Sequence, residues 1–179
     1  MNAFAELWRA LLGWLDLLTA QPGAAGKFTL TPAGLVNAIG AYFAAVLLVI
    51  VVQSLVSGFP GWFQVAISIA FNAILLLAIL GTIWVTAHLF AAPAVAIAVP
   101  AVYAMALVLL ISLPFAYAAS SGAQLALFGV RGFMFYRAAR EVGRLGIGVS
   151  IAFAILCVVL LAAIPIGLYM LTSGGQGIG

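Results

Sequence analysis

The sequence predicts an all-α polytopic transmembrane helical bundle, and its composition and charge pattern both favour this fold class. Hydrophobic residues make up 68% of the 179 residues and charged residues only 5%. Every charge lies before residue 28 or between residues 131 and 144, so two long runs carry none. About a quarter of the residues in a soluble domain are charged, and disorder requires low hydrophobicity. Both classes are therefore excluded, and the six cations are too few and too scattered for a nucleic-acid partner.

Residues 1–31 form the first predicted unit, an amphipathic helix followed by a connector. At about 100° per residue, the polar residues of this segment fall on one narrow stripe, and apolar residues cover the other faces. The stripe consists of Asn2, Glu6, Arg9, Gly13 and Asp16. We expect the helix to lie in the membrane interface, with Trp8 and Trp14 at headgroup depth. The alternative is that it packs on the cytoplasmic ends of the bundle, and both arrangements can hold together.

Residues 32–179 form the second predicted unit, the transmembrane bundle. A spanning helix needs about 20 apolar residues, and four segments meet that requirement. They are 34–57, 62–89, 94–119 and 147–171. A fifth segment, 121–138, is less apolar and contains Arg131.

The distribution of cations favours five spans over four. Loops rich in Lys and Arg stay in the cytoplasm. Five spans with a cytoplasmic N-terminus place the loop after residue 136 inside, together with Arg9 and Lys27, and export the C-terminus. Four spans would instead export the N-terminal segment, whose charges nearly balance. The preference for Arg over Lys and the richness in Ala and Gly suggest a bacterial inner membrane.

One predicted polar face lies on the second span. Gln64, Ser68 and Asn72 repeat every four residues and therefore share one side of the helix, with Asn72 near the midplane. Such a face is typical of a polar path or substrate site in a small transporter or channel. The simpler interpretation is interhelical hydrogen bonding, which stabilises membrane bundles modestly.

A second candidate site combines one histidine with four arginines. In the five-span arrangement, His88 and Arg131 both approach the cytoplasmic boundary, and further arginines follow at spacings of three and four. These are Arg137, Arg140 and Arg144. We expect a pocket for an anionic lipid headgroup or a docking surface for an acidic partner. Alternatively, these side chains reach the interface only to fix the topology.

Catalytic and cofactor motifs are not found in the sequence. It contains no nucleotide-binding glycine fingerprint and no phosphate-binding loop with its lysine. One histidine and one cysteine cannot supply the three or four ligands of a zinc site. We therefore expect a protein that is not an enzyme and has no cofactor or metal.

The layout of the chain resembles the Yip family of small membrane proteins, including its bacterial members. An N-terminal stretch leads through a proline and aromatic connector into tightly spaced helices and a short tail. The connector reads Thr19-Ala20-Gln21-Pro22, then Phe28, then Thr31-Pro32-Ala33-Gly34. The resemblance implies a five-helix bundle without catalytic activity and a part in membrane organisation or in assembling other membrane proteins.

Three functions follow from these observations. The first is a non-catalytic membrane protein that binds lipids, anionic ones among them, or a protein partner through its N-terminal helix and arginine cluster. The second is a small transporter or channel using the polar face of the second span. The third is an accessory subunit of a larger membrane complex. A membrane-protein partner or a second copy of the chain is expected in either binding role.

Overall fold

The computed structural model describes residues 3–21, 23–116 and 121–173, and all the regular structure in these ranges is helical. The helices are α1 (Ala3–Leu18), α2 (Pro32–Ser57), α3 (Trp62–Leu89), α4 (Ala94–Ala116), α5 (Ser121–Arg137) and α6 (Ile147–Ser173). A 3₁₀ turn at Ala24–Lys27 lies between α1 and α2, and a π-helical turn at Ala138–Val142 continues α5. The predicted all-α class is confirmed. Residues 117–119, predicted to end the third span, lie outside the described ranges.

Four helices are long and apolar enough to cross a membrane, which indicates an integral membrane protein. The four segments are Pro32–Ser57, Trp62–Leu89, Ala94–Pro114 and Ile147–Leu168. The α5 helix has 17 residues and is less apolar than these four. A fifth crossing therefore does not follow from length and composition.

The start of α2 is fixed by local chemistry. Pro32 occupies the first turn, where its missing N–H costs nothing, and the Thr31 hydroxyl accepts a hydrogen bond from the backbone N–H of Gly34 at 3.2 Å. A Cβ atom on Gly34 would lie 1.8 Å from the carbonyl oxygen of Thr29. The connector therefore crosses the first turn of α2 so closely that only glycine fits there.

Successive helices run antiparallel and form a bundle with two different ends. Four-residue connections join α2 to α3 and α3 to α4, as in αα-hairpins. Gly143, just after α5, lies against Ile97 near the start of α4, and the rings of Phe135 and Phe153 pair edge to face between α5 and α6. The starts of α2, α4 and α6 and the ends of α3 and α5 therefore meet at one end. Eight of the nine charged residues lie at this end, which we call the charged end, and Arg131 is the ninth.

The buried core occupies only the half of the bundle nearest the charged end, which we call the packed half. The central helix α4 is buried almost continuously from Ile97 to Val108. The outermost buried residues of the other spans are Val46, Leu76, Met134 and Leu161. Beyond them, no described side chain in 47–57, 62–75, 109–114, 122–133 or 162–170 is buried. In this open half, the neighbouring helices no longer enclose α4.

The α1 helix packs across the charged end through residues that are three or four apart. This bundle face consists of Glu6, Ala10, Trp14 and Leu17. Glu6, from the predicted polar stripe, lies on this bundle face: its side chain is 7% exposed and accepts a hydrogen bond from Nδ2 of Asn37 on α2. A buried carboxylate is tolerated here because the Asn37 amide supplies a donor. The packing alternative for α1 is thus observed, and its place in a membrane interface stays a prediction.

Candidate functional site

Trp14 anchors α1 to the bundle. Its side chain is 1% exposed, and its indole Nε1 donates a hydrogen bond to the carbonyl oxygen of Pro100 at 3.1 Å. The Trp14 ring meets the Phe28 ring edge to face, with centroids 6.1 Å apart. Contact of Trp14 with lipid was expected from the apolar pattern, but the structure places this ring inside the protein. A buried indole needs a partner for its N–H, and Pro100 provides it.

A second face of α1 stays uncovered and apolar. Trp8 is 56% exposed, and other large side chains on this face are also exposed, namely Leu7, Leu15 and Leu18. Arg9 is exposed on another side of the helix, about 100° from Trp8, and forms no hydrogen bond or ion pair with any residue in the described ranges. The helix therefore has one face on the bundle, one apolar face uncovered and one polar edge.

The arginines after α5 do not form the continuous face that their spacing predicted. The π-helical turn widens the backbone after Arg137, and Arg144 adopts a left-handed conformation with φ of 53°. Arg137 Nε donates to the Leu17 carbonyl at 2.8 Å and so caps α1, and its Nη1 pairs with Glu141 at 3.1 Å. Arg140 Nη1 donates to the carbonyl of Leu145 at 2.8 Å.

Arg144 is exposed and, unlike Arg137 and Arg140, is not engaged within the described part of the protein. It has no partner among the residues that the structure describes. Arg137 and Arg140 thus stabilise the charged end, whereas Arg9 and Arg144 keep their guanidinium groups free for a ligand.

His88 does not join Arg131, contrary to the expected pair. Its imidazole stacks on the indole of Trp84, one turn earlier on α3, with centroids 5.7 Å apart and an interplanar angle of 9°. Stacking between residues four apart on a helix orients His88 along its own helix surface. No described contact connects it to Arg131.

On the predicted polar face of α3, the Asn72 side chain has its hydrogen-bond partners within the protein. The Tyr42 hydroxyl on α2 donates to the Asn72 side-chain oxygen at 3.0 Å, and Asn72 Nδ2 donates to the Ser68 carbonyl at 2.9 Å. Gln64, two turns nearer the uncharged end, is exposed. Reasoning from the sequence missed Tyr42, although a tyrosine deep in an uncharged span needs a partner for its hydroxyl.

Arg131 lies in α5 on the same helical face as the fully buried Phe135, one turn before it. Its guanidinium carbon lies 5.7 Å from the centre of the Phe128 ring, a cation–π contact. The hydrogen bond between Tyr42 on α2 and Asn72 on α3 is a contact that the sequence did not predict. Arg131 forms no hydrogen bond or ion pair with any described residue.

A groove of about 690 Å³ runs between α1, α2 and α4. Small side chains shape its α2 wall, namely Gly40, Ala41, Ala44 and Ala45. Leu7 and Leu11 of α1 lie at its charged end, and Leu48 and Leu110 at its far end. Its size is in the range of ligand pockets, and its apolar lining suits a hydrocarbon chain. No group of three or more metal-ligating side chains occurs in the described ranges.

Comparisons with known proteins give no relative for this chain. No protein-family model matches it, and no curated protein or solved structure is detectably similar.

Proposed function

We propose that this chain is a non-catalytic membrane protein that binds anionic lipids of the cytoplasmic leaflet and thereby contributes to membrane organisation or assembly. The observation that carries the proposal is the arrangement of α1. Its bundle face is held by Trp14, its exposed apolar face carries Trp8, and Arg9 has no partner inside the described chain. Such a helix suits the boundary between headgroups and acyl chains.

The free cations supply the preference for anionic headgroups. Asp16 neutralises Lys27, and Glu141 neutralises Arg137, whereas Arg9 and Arg144 are exposed and unpaired in the described ranges. Each basic residue near an anionic leaflet contributes about 1 kcal/mol. The groove beneath α1 offers an acyl chain a place beside the same helix. Lipid binding is therefore supported by both charge and shape.

The proposed topology has five spans, a cytoplasmic N-terminus and an exported C-terminus in a bacterial inner membrane. The α5 helix runs antiparallel to its neighbours from Ser121 to Arg137, about 26 Å at about 1.5 Å per residue. This length is slightly less than a hydrocarbon core of about 30 Å, and a bilayer accommodates a short span by local thinning. The single charged end also agrees with retention of cations in the cytoplasm. A reporter fused at Met1 is expected inside, and an external reporter would eliminate the fifth span.

Removing the two free cations tests the lipid preference. The purified chain is reconstituted in bilayers of equal phosphatidylglycerol and phosphatidylcholine, and its retained lipids are counted by native mass spectrometry. Arg9→Gln combined with Arg144→Gln is expected to weaken the preference for phosphatidylglycerol roughly 10- to 30-fold, from about 1 kcal/mol for each charge. The control is Asp16→Asn with Lys27→Gln, which removes an ion pair and leaves the net charge unchanged. Equal enrichment in both variants contradicts the proposal.

Lipid contact of α1 is tested separately by fluorescence. In variants that keep a single tryptophan, brominated phospholipid should quench Trp8 strongly and Trp14 weakly, because Trp8 is 56% exposed and Trp14 1%. Equal quenching would remove the interfacial helix from the proposal.

The Yip-like layout of the chain is consistent with the proposed role in membrane organisation.

A further inference from the structure

Arg131 has no counter-ion within the described chain. Glu6 accepts from Asn37, and the other two carboxylates, Asp16 and Glu141, are each in an ion pair at the charged end. The sequence contains no Asp or Glu between residues 28 and 130 or after residue 144. Arg131 makes no hydrogen bond or ion pair with any described residue, and its one close contact is the Phe128 ring. No carboxylate side chain of the sequence is therefore left to pair with Arg131.

The guanidinium does not reach back to the charged end. Arg131 lies about 15 Å along α5 from Ser121 and about 9 Å before Arg137, which caps α1. Side chains on a helix tilt towards its N-terminus, which for α5 is at the uncharged end of the bundle. The contact with Phe128, one turn in that direction, shows that Arg131 follows this rule. A cation in this position is costly in a bilayer and is typical of a functional site.

Arg131 lies just beyond the packed half. Arg131 and Asn72 are half-buried, and each lies about one turn beyond the outermost buried residue of its helix, which is Met134 or Leu76. Beyond Val46 on α2, Leu76 on α3 and Met134 on α5, no described side chain of these helices is buried towards the uncharged end. The open half thus provides access to Arg131 from the uncharged end, past mostly apolar surfaces.

We propose that Arg131 binds the anionic group of an amphiphile whose apolar body lies in the open half. A guanidinium binds carboxylate and phosphate groups through two parallel hydrogen bonds. The apolar walls disfavour a small hydrated anion, because they cannot replace its water. Arg131 is reached from the open half, whereas the lipid surface proposed for α1 lies at the charged end, so the two proposals are tested independently.

Binding of oleate to the full chain in nanodiscs tests this site. Arg131→Gln is expected to weaken oleate binding at least tenfold, and Arg131→Lys to weaken it less, since a lysine keeps the charge without the paired donors. Asp16→Asn combined with Lys27→Gln, which removes an ion pair at the charged end and keeps the net charge, should leave the affinity unchanged. Oleyl alcohol, which has the same chain without a charge, should bind weakly and equally to the parent and to Arg131→Gln. Dodecyl phosphate should compete with oleate, and inorganic phosphate should not.

Thermal unfolding in mild detergent gives a readout that does not depend on affinity alone. Oleate should raise the melting temperature of the parent chain and leave that of Arg131→Gln unchanged, because binding to the folded state stabilises it. Without ligand, Arg131→Gln should be at least as stable as the parent, since it removes an unpaired intramembrane charge.

Three results would overturn the proposal. They are equal oleate affinities of the parent and Arg131→Gln, displacement of oleate by inorganic phosphate, and a photo-crosslink from position 72 to a helix of another protein in native membranes. The last result would assign the guanidinium to a carboxylate of a membrane partner.

Discussion

Loss of the Trp14 ring is expected to release α1 from the bundle. A buried tryptophan removes about 150–250 Å² from solvent, which at about 25 cal/mol per Å² corresponds to about 4–6 kcal/mol. Trp14→Ala should therefore cost about 3–5 kcal/mol of docking free energy. Trp14→Phe keeps most of the ring and loses the hydrogen bond to Pro100, so about 1–2 kcal/mol is expected. In a released α1, the Trp14 ring can itself insert into the interface, which makes these values upper limits.

A buried cysteine reporter measures the docking directly. Ala10 lies on the bundle face of α1 and is 3% exposed, so Ala10→Cys should react slowly with a water-soluble maleimide. The only native cysteine, Cys157, is fully buried and sets a low background. The labelling rate follows the undocked population, and each 1.4 kcal/mol changes that population about tenfold. We expect acceleration of roughly 5- to 30-fold for Trp14→Phe and about 100-fold or more for Trp14→Ala.

Ala5→Cys provides the matched control for this assay. Ala5 is exposed on the same helix, so its cysteine should label quickly whatever residue occupies position 14. If Trp14→Ala leaves the slow labelling of Ala10→Cys unchanged, Trp14 does not hold α1 in place. If the alanine and phenylalanine variants speed the labelling equally, burial of the ring contributes nothing and the hydrogen bond to Pro100 is what holds α1.

Two further predictions concern the charged end. Gly34→Ala should lower the melting temperature by an amount corresponding to about 1–3 kcal/mol, because its Cβ would lie 1.8 Å from a connector carbonyl. A Cβ at Gly40 would have no atom within 4 Å, so Gly40→Ala should leave the melting temperature unchanged or raise it slightly. Arg137→Gln should speed the α1 labelling reaction about tenfold by removing a hydrogen bond to the end of α1. Glu141→Gln breaks only an exposed ion pair and should change that rate less than fivefold. Equal melting temperatures of the two glycine variants would contradict the first prediction, and equal labelling rates of Arg137→Gln and Glu141→Gln would contradict the second.

The site residues show how far sequence reasoning extends. Arg131 and Asn72 could be selected from the sequence because polar groups stand out in an apolar run, and their chemistry demands partners. The contact between Asn72 and Tyr42 could not be predicted, since it depends on how helices separated along the chain pack together. Tyr42 was overlooked because a tyrosine at an apolar position looks like core until its hydroxyl has a named acceptor.

The arginine cluster shows a different limit. The spacing of Arg137, Arg140 and Arg144 places them on one face only if the α-helix continues through all three positions. A π-helical turn at Ala138–Val142 and the positive φ of Arg144 break that periodicity. Gly143 lies so close to Ile97 that a Cβ would be 2.6 Å from its side chain. The backbone departs from regular geometry where α5 must pack against α4, and sequence spacing does not record this.

The amino-acid sequence alone determines the helical class, the four long apolar segments and the confinement of nearly all charges to one end. Hydrophobic transfer and backbone hydrogen bonding are local properties, so they can be read residue by residue. Only the tertiary structure decides which apolar face of α1 is buried, which arginines are engaged in caps, and that the helices enclose α4 along half its length. These features depend on distances between segments far apart in the chain. For each of these features, a few close contacts between helices select one packing arrangement among several that the hydrophobic pattern of the sequence allows.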